Sequence, residues 1–90
     1  MFAIEYTSQF KKDLKRAKRR GKCLAKIRMC MKQIASEDNL PQKLRDHSLS
    51  GNWQGHRELH IEPDWLLIYK LLLDEKTVIF VRTGSHSDLF

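Results

Sequence analysis

The sequence predicts an α+β domain of order β-α-α-β-β-β. An N-terminal helical hairpin packs on one face of a small, mostly antiparallel, twisted sheet. Two observations predict it. Apolar residues recur at helical spacing between residues 8 and 36, broken only by Gly21. After residue 55 the pattern changes to alternation or unbroken apolar runs separated by short turns. At 90 residues the chain is one domain, residues 1–90, with 41% hydrophobic residues for a modest core.

The elements follow in order. "FAIEY", residues 2–6, alternates and reads as a first strand. Thr7 and Ser8 offer N-caps, and Phe10, Leu14 and Ala17 then recur on one helical face. Gly21 suits the left-handed position after that helix. A second helix runs from about Lys22 to Ser36, with Leu24, Ile27, Met31 and Ile34 as its stripe. "EDNLPQ" is a loop. "GHRELHI" alternates, with Arg57, Leu59 and Ile61 on one face and His56, Glu58 and His60 on the other. "DWLLIYKLL" is apolar on both faces, as a central strand is. After the turn "DEK", "TVIFVRT" is the last strand, with Ile79 and Val81 expected inward and Arg82 opposite. On that parity His60 and Arg82 share the uncovered face. "GSHSDLF" reads as a polar tail ending on Leu89 and Phe90.

Charge narrows the partners. Seventeen Lys+Arg against 11 Asp+Glu leave a net charge of +6 and a pI near 9.6. Eleven of the cations, including Lys11, Lys15, Arg19, Lys22 and Lys26, lie between residues 11 and 32, against only Glu5 and Asp13 in the first third. This is a solvated helix face or a track for the phosphates of a polyanion. Cys23 and Cys30, seven apart on one helix, lie roughly 10 Å apart along its axis, too far for a disulfide. They are expected to be buried, reduced thiols. No apolar run approaches the roughly 18 residues of a membrane span. A cytoplasmic protein with no membrane partner is the expectation.

The chemistry-bearing residues crowd the second half: His47 in "RDHSLSG", His56, His60, Asp64, Arg82 and His86. A histidine titrates near neutral pH and so gives or takes a proton readily. An arginine offers a fork to phosphate oxygens. Together, in a basic chain, they fit RNA cleavage without a metal or other cofactor: one base, one acid, one cation. His60 and Asp64 are also possible zinc ligands, but no HExxH or CxxC framework accompanies them. His56 has no distinct partner and stays outside the set. Trp53, between glycines, reads as a loop residue packing over an edge. Composition and spacing leave an RNA-cutting and an RNA-binding domain equally open.

"DHSLSGNWQGHRELHIEPDWLLIYK" followed by "VRTGSHSDLF" resembles the YafQ family of bacterial type II toxins, within the RelE/ParE superfamily. The resemblance covers the whole chain, and its specific part is the C-terminal half. It implies the RelE-like microbial RNase fold and an mRNA interferase that cuts mRNA on the ribosome. The implied partners are mRNA, the ribosome and a cognate acidic antitoxin, DinJ- or RelB-like. By resemblance His86 is the general acid, and His47 or His60 the base. Asp64 orients a histidine, and Arg82 contacts the scissile phosphate. Trp65 and Phe90 offer stacking surfaces, and Arg57, Lys11, Lys15 and Arg19 bind RNA. A ribosome-independent RNase on the same residues is the main rival. A ParE-type gyrase inhibitor would not need the histidines, and a non-catalytic binder would not either.

Overall fold

A computed structural model describes residues 1–90. The elements are β1 (Ala3–Tyr6), α1 (Ser8–Arg19), α2 (Leu24–Ala35), β2 (His47–Ser48), β3 (Arg57–Glu62), β4 (Trp65–Leu72), β5 (Thr77–Gly84) and α3 (His86–Leu89), with single 3-10 turns at Gln42–Leu44 and Gly51–Trp53. The sheet order is β1-β5-β4-β3-β2. β1 runs parallel to β5, and every other pair is antiparallel. The expected order is therefore present, with a two-residue strand and a last helix added.

Local chemistry explains the helical hairpin. Thr7 Oγ1 accepts the Phe10 N–H at 2.9 Å and donates to the Val81 carbonyl at 2.7 Å. It thus caps α1 and ties it to β5 at once. At the other end Gly21 lies at φ +78°. Gly21 N–H donates to the Lys18 carbonyl and Lys22 N–H to the Ala17 carbonyl. This pair of bonds is a Schellman close that needs the left-handed residue. Phe10 and Ala17 of α1 and Ile27, Cys30, Met31 and Ile34 of α2 face the sheet's inner side, against Leu59, Trp65, Leu67, Tyr69, Val78 and Phe80.

β4 is central and buried on both faces, as its unbroken apolar run required. Leu66 and Ile68 point away from the hairpin, into a second small cluster with Leu89 of α3, Leu49, Trp53 and Val81. The outer face is thus partly closed by the tail and the 3-10 turn at Trp53.

One strand expectation and one cysteine expectation are corrected. In β5 the inward residues are Val78 and Phe80, both fully buried, and not Ile79 and Val81. Four consecutive apolar residues offer either parity, and the Tyr6–Phe10–Phe80 ring cluster selects the one observed. A bulge between Phe80 and Arg82 then shifts the register, so that Arg82 lies across from Ile68 and Thr83 from Leu67. Cys23 is exposed while Cys30 is buried, and both are free thiols. No helix is long and apolar enough to cross a membrane.

The deepest polar feature is Asp13, 1% exposed in the middle of α1. Its carboxylate accepts from Arg82 Nε at 2.8 Å, Arg82 Nη2 at 3.1 Å, the Thr83 N–H at 3.1 Å, Gln9 at 3.2 Å and Arg16 at 3.1 Å. Burial drives its pKa upward, but these donors outweigh burial and hold it below the ordinary carboxylate value. Asp13→Asn is therefore expected to cost about 3 kcal/mol, because it strands Arg82. A carboxyl depressed in the folded state stabilises fully above its unfolded value, near 3.9, and loses that contribution as pH falls through the folded one. Urea midpoints of wild type and Asp13→Asn should differ most at neutral pH and converge as the pH drops below about 4.

Candidate active site

The site is built on the outer face at the β2–β3–β4 end of the sheet. β2 pairs with β3 so that His47 lies opposite Glu58, and β3 pairs with β4 so that His60 lies opposite Leu66. Pro63 and Asp64 make the two-residue turn between β3 and β4. Gly84 ends β5 and the chain hooks back into α3, which starts on His86. Three histidines from three elements meet here. The His47 and His60 ring centroids are 6.0 Å apart, and those of His60 and His86 are 5.8 Å apart.

Each ring has a different environment. His86 is tied to Asp64: one carboxylate oxygen accepts its backbone N–H at 2.9 Å and its Nδ1 at 2.6 Å. A carboxylate only accepts, so Nδ1 carries a proton and Nε2 is left free. The His86 N–H in turn holds Asp64 below the ordinary carboxylate value, with the Nδ1 bond adding to it. His60 makes no hydrogen bond, and its Nδ1 is buried without a partner. Burial pushes the His60 imidazole below its ordinary pKa. Glu58 pulls the other way, and Arg45, His86 and His47 add to the lowering. His47 is pinned at both nitrogens, with Nδ1 2.7 Å from the Arg45 carbonyl and Nε2 3.0 Å from Glu58. Both partners are acceptors.

Glu58 is the residue that motif spacing did not single out. It is 5% exposed, holds His47 through one oxygen, and has its other oxygen unpartnered. Its signal was in the sequence as an acid on the same strand face as His60, two residues away. Nothing local showed that the β2 hairpin would lay a histidine over it.

The hook that carries His86 is assembled from charge and shape. Ser85 and Asp88 form a capping box. Asp88 also takes both Arg20 nitrogens, at 2.6 and 3.2 Å. These bonds, the Arg20 ones first, depress it strongly below its ordinary value. A side chain on Gly84 would meet the Asp88 Cβ at 2.9 Å, so only glycine lets Asp88 fold back onto α1.

The geometry bears on three expected assignments. Arg82 binds Asp13 through two of its three guanidinium nitrogens. Trp65 is 1% exposed and donates from Nε1 to Thr83 at 3.0 Å, so its ring is core and offers no stacking surface. Arg57 holds Asp46 through Nε at 2.8 Å, and Tyr69 bonds the same carboxylate, which anchors the segment before His47. Its donors serve the scaffold. Burial first, then Asp46, pushes the Tyr69 phenol far up. Phe90 is exposed as expected and meets Trp53 edge-on at 6.2 Å. Lys11, Lys15 and Arg19 are exposed, four apart along α1, and make no ion pair. His56 packs edge-on against Trp53 at 5.4 Å, outside the histidine cluster.

The one-turn helix α3 cannot stand alone. Asp64→Asn should therefore loosen it. Amide exchange at His86 is expected to quicken by NMR, with the β4 amides unchanged.

Comparison with known proteins adds the family. The sequence model for "Bacterial toxin of type II toxin-antitoxin system, YafQ" matches residues 2–90. The chain is 44% identical over 88 residues to the mRNA interferase toxin YafQ of Escherichia coli (strain K12), covering 97% of this chain and 94% of that one. It superimposes on the toxin in the crystal structure of the E. coli DinJ-YafQ complex with a TM-score of 0.89 at 44% identity, covering 100% of this chain and 99% of that one. A metal-bound toxin from Helicobacter pylori aligns with a TM-score of 0.94 at 40% identity over 100% of both chains. With the fold, the three-histidine cluster and a match over nearly every residue in agreement, the chain belongs to the YafQ family of toxins of bacterial type II toxin–antitoxin systems.

Proposed function

We propose that the protein is an mRNA interferase: a metal-independent endoribonuclease that cuts mRNA on the ribosome and so stops translation. It is held inactive by a cognate antitoxin of the DinJ kind, as the E. coli relative's complex suggests. The observation that carries the reading is the set of three histidines in three contrasting environments on one face. Pairs of titratable groups pushed apart by their surroundings are what acid–base chemistry at neutral pH needs.

In this reading His60 is the general base. Its burial favours the neutral ring, and no partner occupies the buried Nδ1. It takes the proton of a ribose 2′-OH as that oxygen attacks the adjacent phosphorus. His86, with Nδ1 held by Asp64, gives the Nε2 proton to the departing 5′-oxygen. The P–O5′ bond breaks, leaving a 2′,3′-cyclic phosphate and a 5′-hydroxyl. His47, fixed at both nitrogens between Glu58 and the Arg45 carbonyl, forms the wall of the cleft beside His60. The exposed Lys11, Lys15 and Arg19 row supplies sequence-independent affinity for ribosomal RNA.

The test is cleavage of one defined mRNA by purified protein in EDTA, with and without translating ribosomes, and with the cut ends mapped. Wild type is expected to cut in frame and only on ribosomes. His86→Ala should lose about 10²- to 10⁴-fold in rate while still binding antitoxin. Cutting of naked RNA would move the assignment to a ribosome-independent RNase. The acidic limb of kcat/KM should have its midpoint below 6.5, the ordinary histidine value. Glu58→Gln removes the one attraction that raises His60, so that midpoint should move to still lower pH.

A further inference from the structure

His60 is the ring of the cluster that no hydrogen bond holds, and its Nδ1 is buried without a partner. Packing alone sets its orientation. His47 stacks on it with centroids 6.0 Å and planes 27° apart, and His86 lies at 5.8 Å. A general base has to keep its geometry within a fraction of an ångström. The stiffness of His60 therefore depends on that of His47. Yet His47 is 49% exposed and belongs to a strand of two residues, too short to hold itself in place.

What holds it comes from the opposite face of the sheet. Tyr69 of β4 is 2% exposed and packs in the core beneath the helical hairpin, and its hydroxyl donates to Asp46 Oδ2, 23 residues earlier in the chain. Arg57 lies directly across the β3–β4 pair from Tyr69 and donates to the other oxygen, from Nε at 2.8 Å and Nη2 at 2.5 Å. Leu44 is buried in the same core. The chain is thus pinned at residues 44 and 46. Arg45 between them takes a left-handed φ of 52°, which brings its carbonyl to 2.7 Å from His47 Nδ1. Burial and Asp46 push the Tyr69 phenol far up, so it stays a donor at any working pH. No RNA reaches a side chain so buried. Any effect of this hydroxyl on the reaction passes through Asp46.

We propose that Tyr69 is a positioning residue of the nuclease site. Its hydroxyl, through Asp46, fixes the Arg45 carbonyl and the ring of His47, and so holds His60 in the orientation that its proton transfer needs. The inference rests on the nuclease reading and deepens it, because it places a determinant of the rate on the face of the sheet that no substrate touches.

The experiment uses full-length protein on whichever RNA substrate wild type cuts, in single-turnover mode, at a temperature where near-UV circular dichroism shows every variant folded. Tyr69→Phe removes one oxygen and keeps the ring in the core. It should lower the saturating rate about 10- to 10²-fold, the scale of a misplacement of up to 1 Å, with KM unchanged. Asp46→Asn should act in the same direction. In a His47→Ala background Tyr69→Phe should cost nothing further, since the link it works through is gone. Ile34→Val, which loosens the same core from α2, should keep the wild-type rate. A wild-type rate in folded Tyr69→Phe would overturn the proposal. So would an equal loss in Ile34→Val, or a full additive loss on top of His47→Ala, since either would make the hydroxyl a matter of stability alone. If wild type cuts no RNA, the nuclease reading itself fails, and this inference fails with it. An active wild type with an unaffected Tyr69→Phe rejects only the positioning role.

Discussion

The buried carboxylate of Asp13 is the constraint on which the rest of the molecule depends. It sits in the middle of the most basic helix, 1% exposed, and such a group is tolerated only when fully paired. The donors that satisfy it come from its own helix and from β5, 69 residues away at Arg82. They fix the helical hairpin against the strand at the bulge, two residues before Gly84 and four before His86. Asp88 then repeats the device at the surface, meeting Arg16 of the same helix and Arg20 at its C-cap. The position of the candidate acid is thus set by two aspartates that never touch the histidine cluster.

Around that frame three chemically identical rings acquire different properties. His86 is turned by a solvent-exposed carboxylate and keeps one nitrogen free. His60 is desolvated and unpartnered. His47 is held at both ends. None of this follows from histidine itself; it follows from which strand each lies on and what lies beneath. The apolar cluster of Leu66, Ile68 and Leu89 forms the floor under the cluster, so the same packing that closes the sheet's outer face also dries the ring proposed as the base. Core and candidate site are one construction on this face.

Much of the fold was legible because it is written in short-range chemistry. Thr7 at the start of α1, Gly21 at its end, the stripes of the two helices and the two-sided burial of β4 each rest on residues within a few positions of one another. The motif residues His47, His60, Asp64 and His86 were legible too, and the chain brings them together. What could not be read was parity in "TVIFVRT", where either face is apolar. The tail also read as polar and irregular, because a one-turn helix exists only through its capping box and the reach of Asp64.

The sequence by itself determined the order and type of the main elements, the sign of the charge and the identity of the candidate acid–base residues. These depend on local periodicity, capping and composition. Tertiary structure alone decided what each of these groups meets. It set Arg82 on Asp13, put Trp65 into the core, gave Arg57 to Asp46 and laid His47 on Glu58. The physical reason is that burial and ion pairing are settled between segments tens of residues apart. A side chain's availability is a property of its neighbours in space, and spacing along the chain carries little of it.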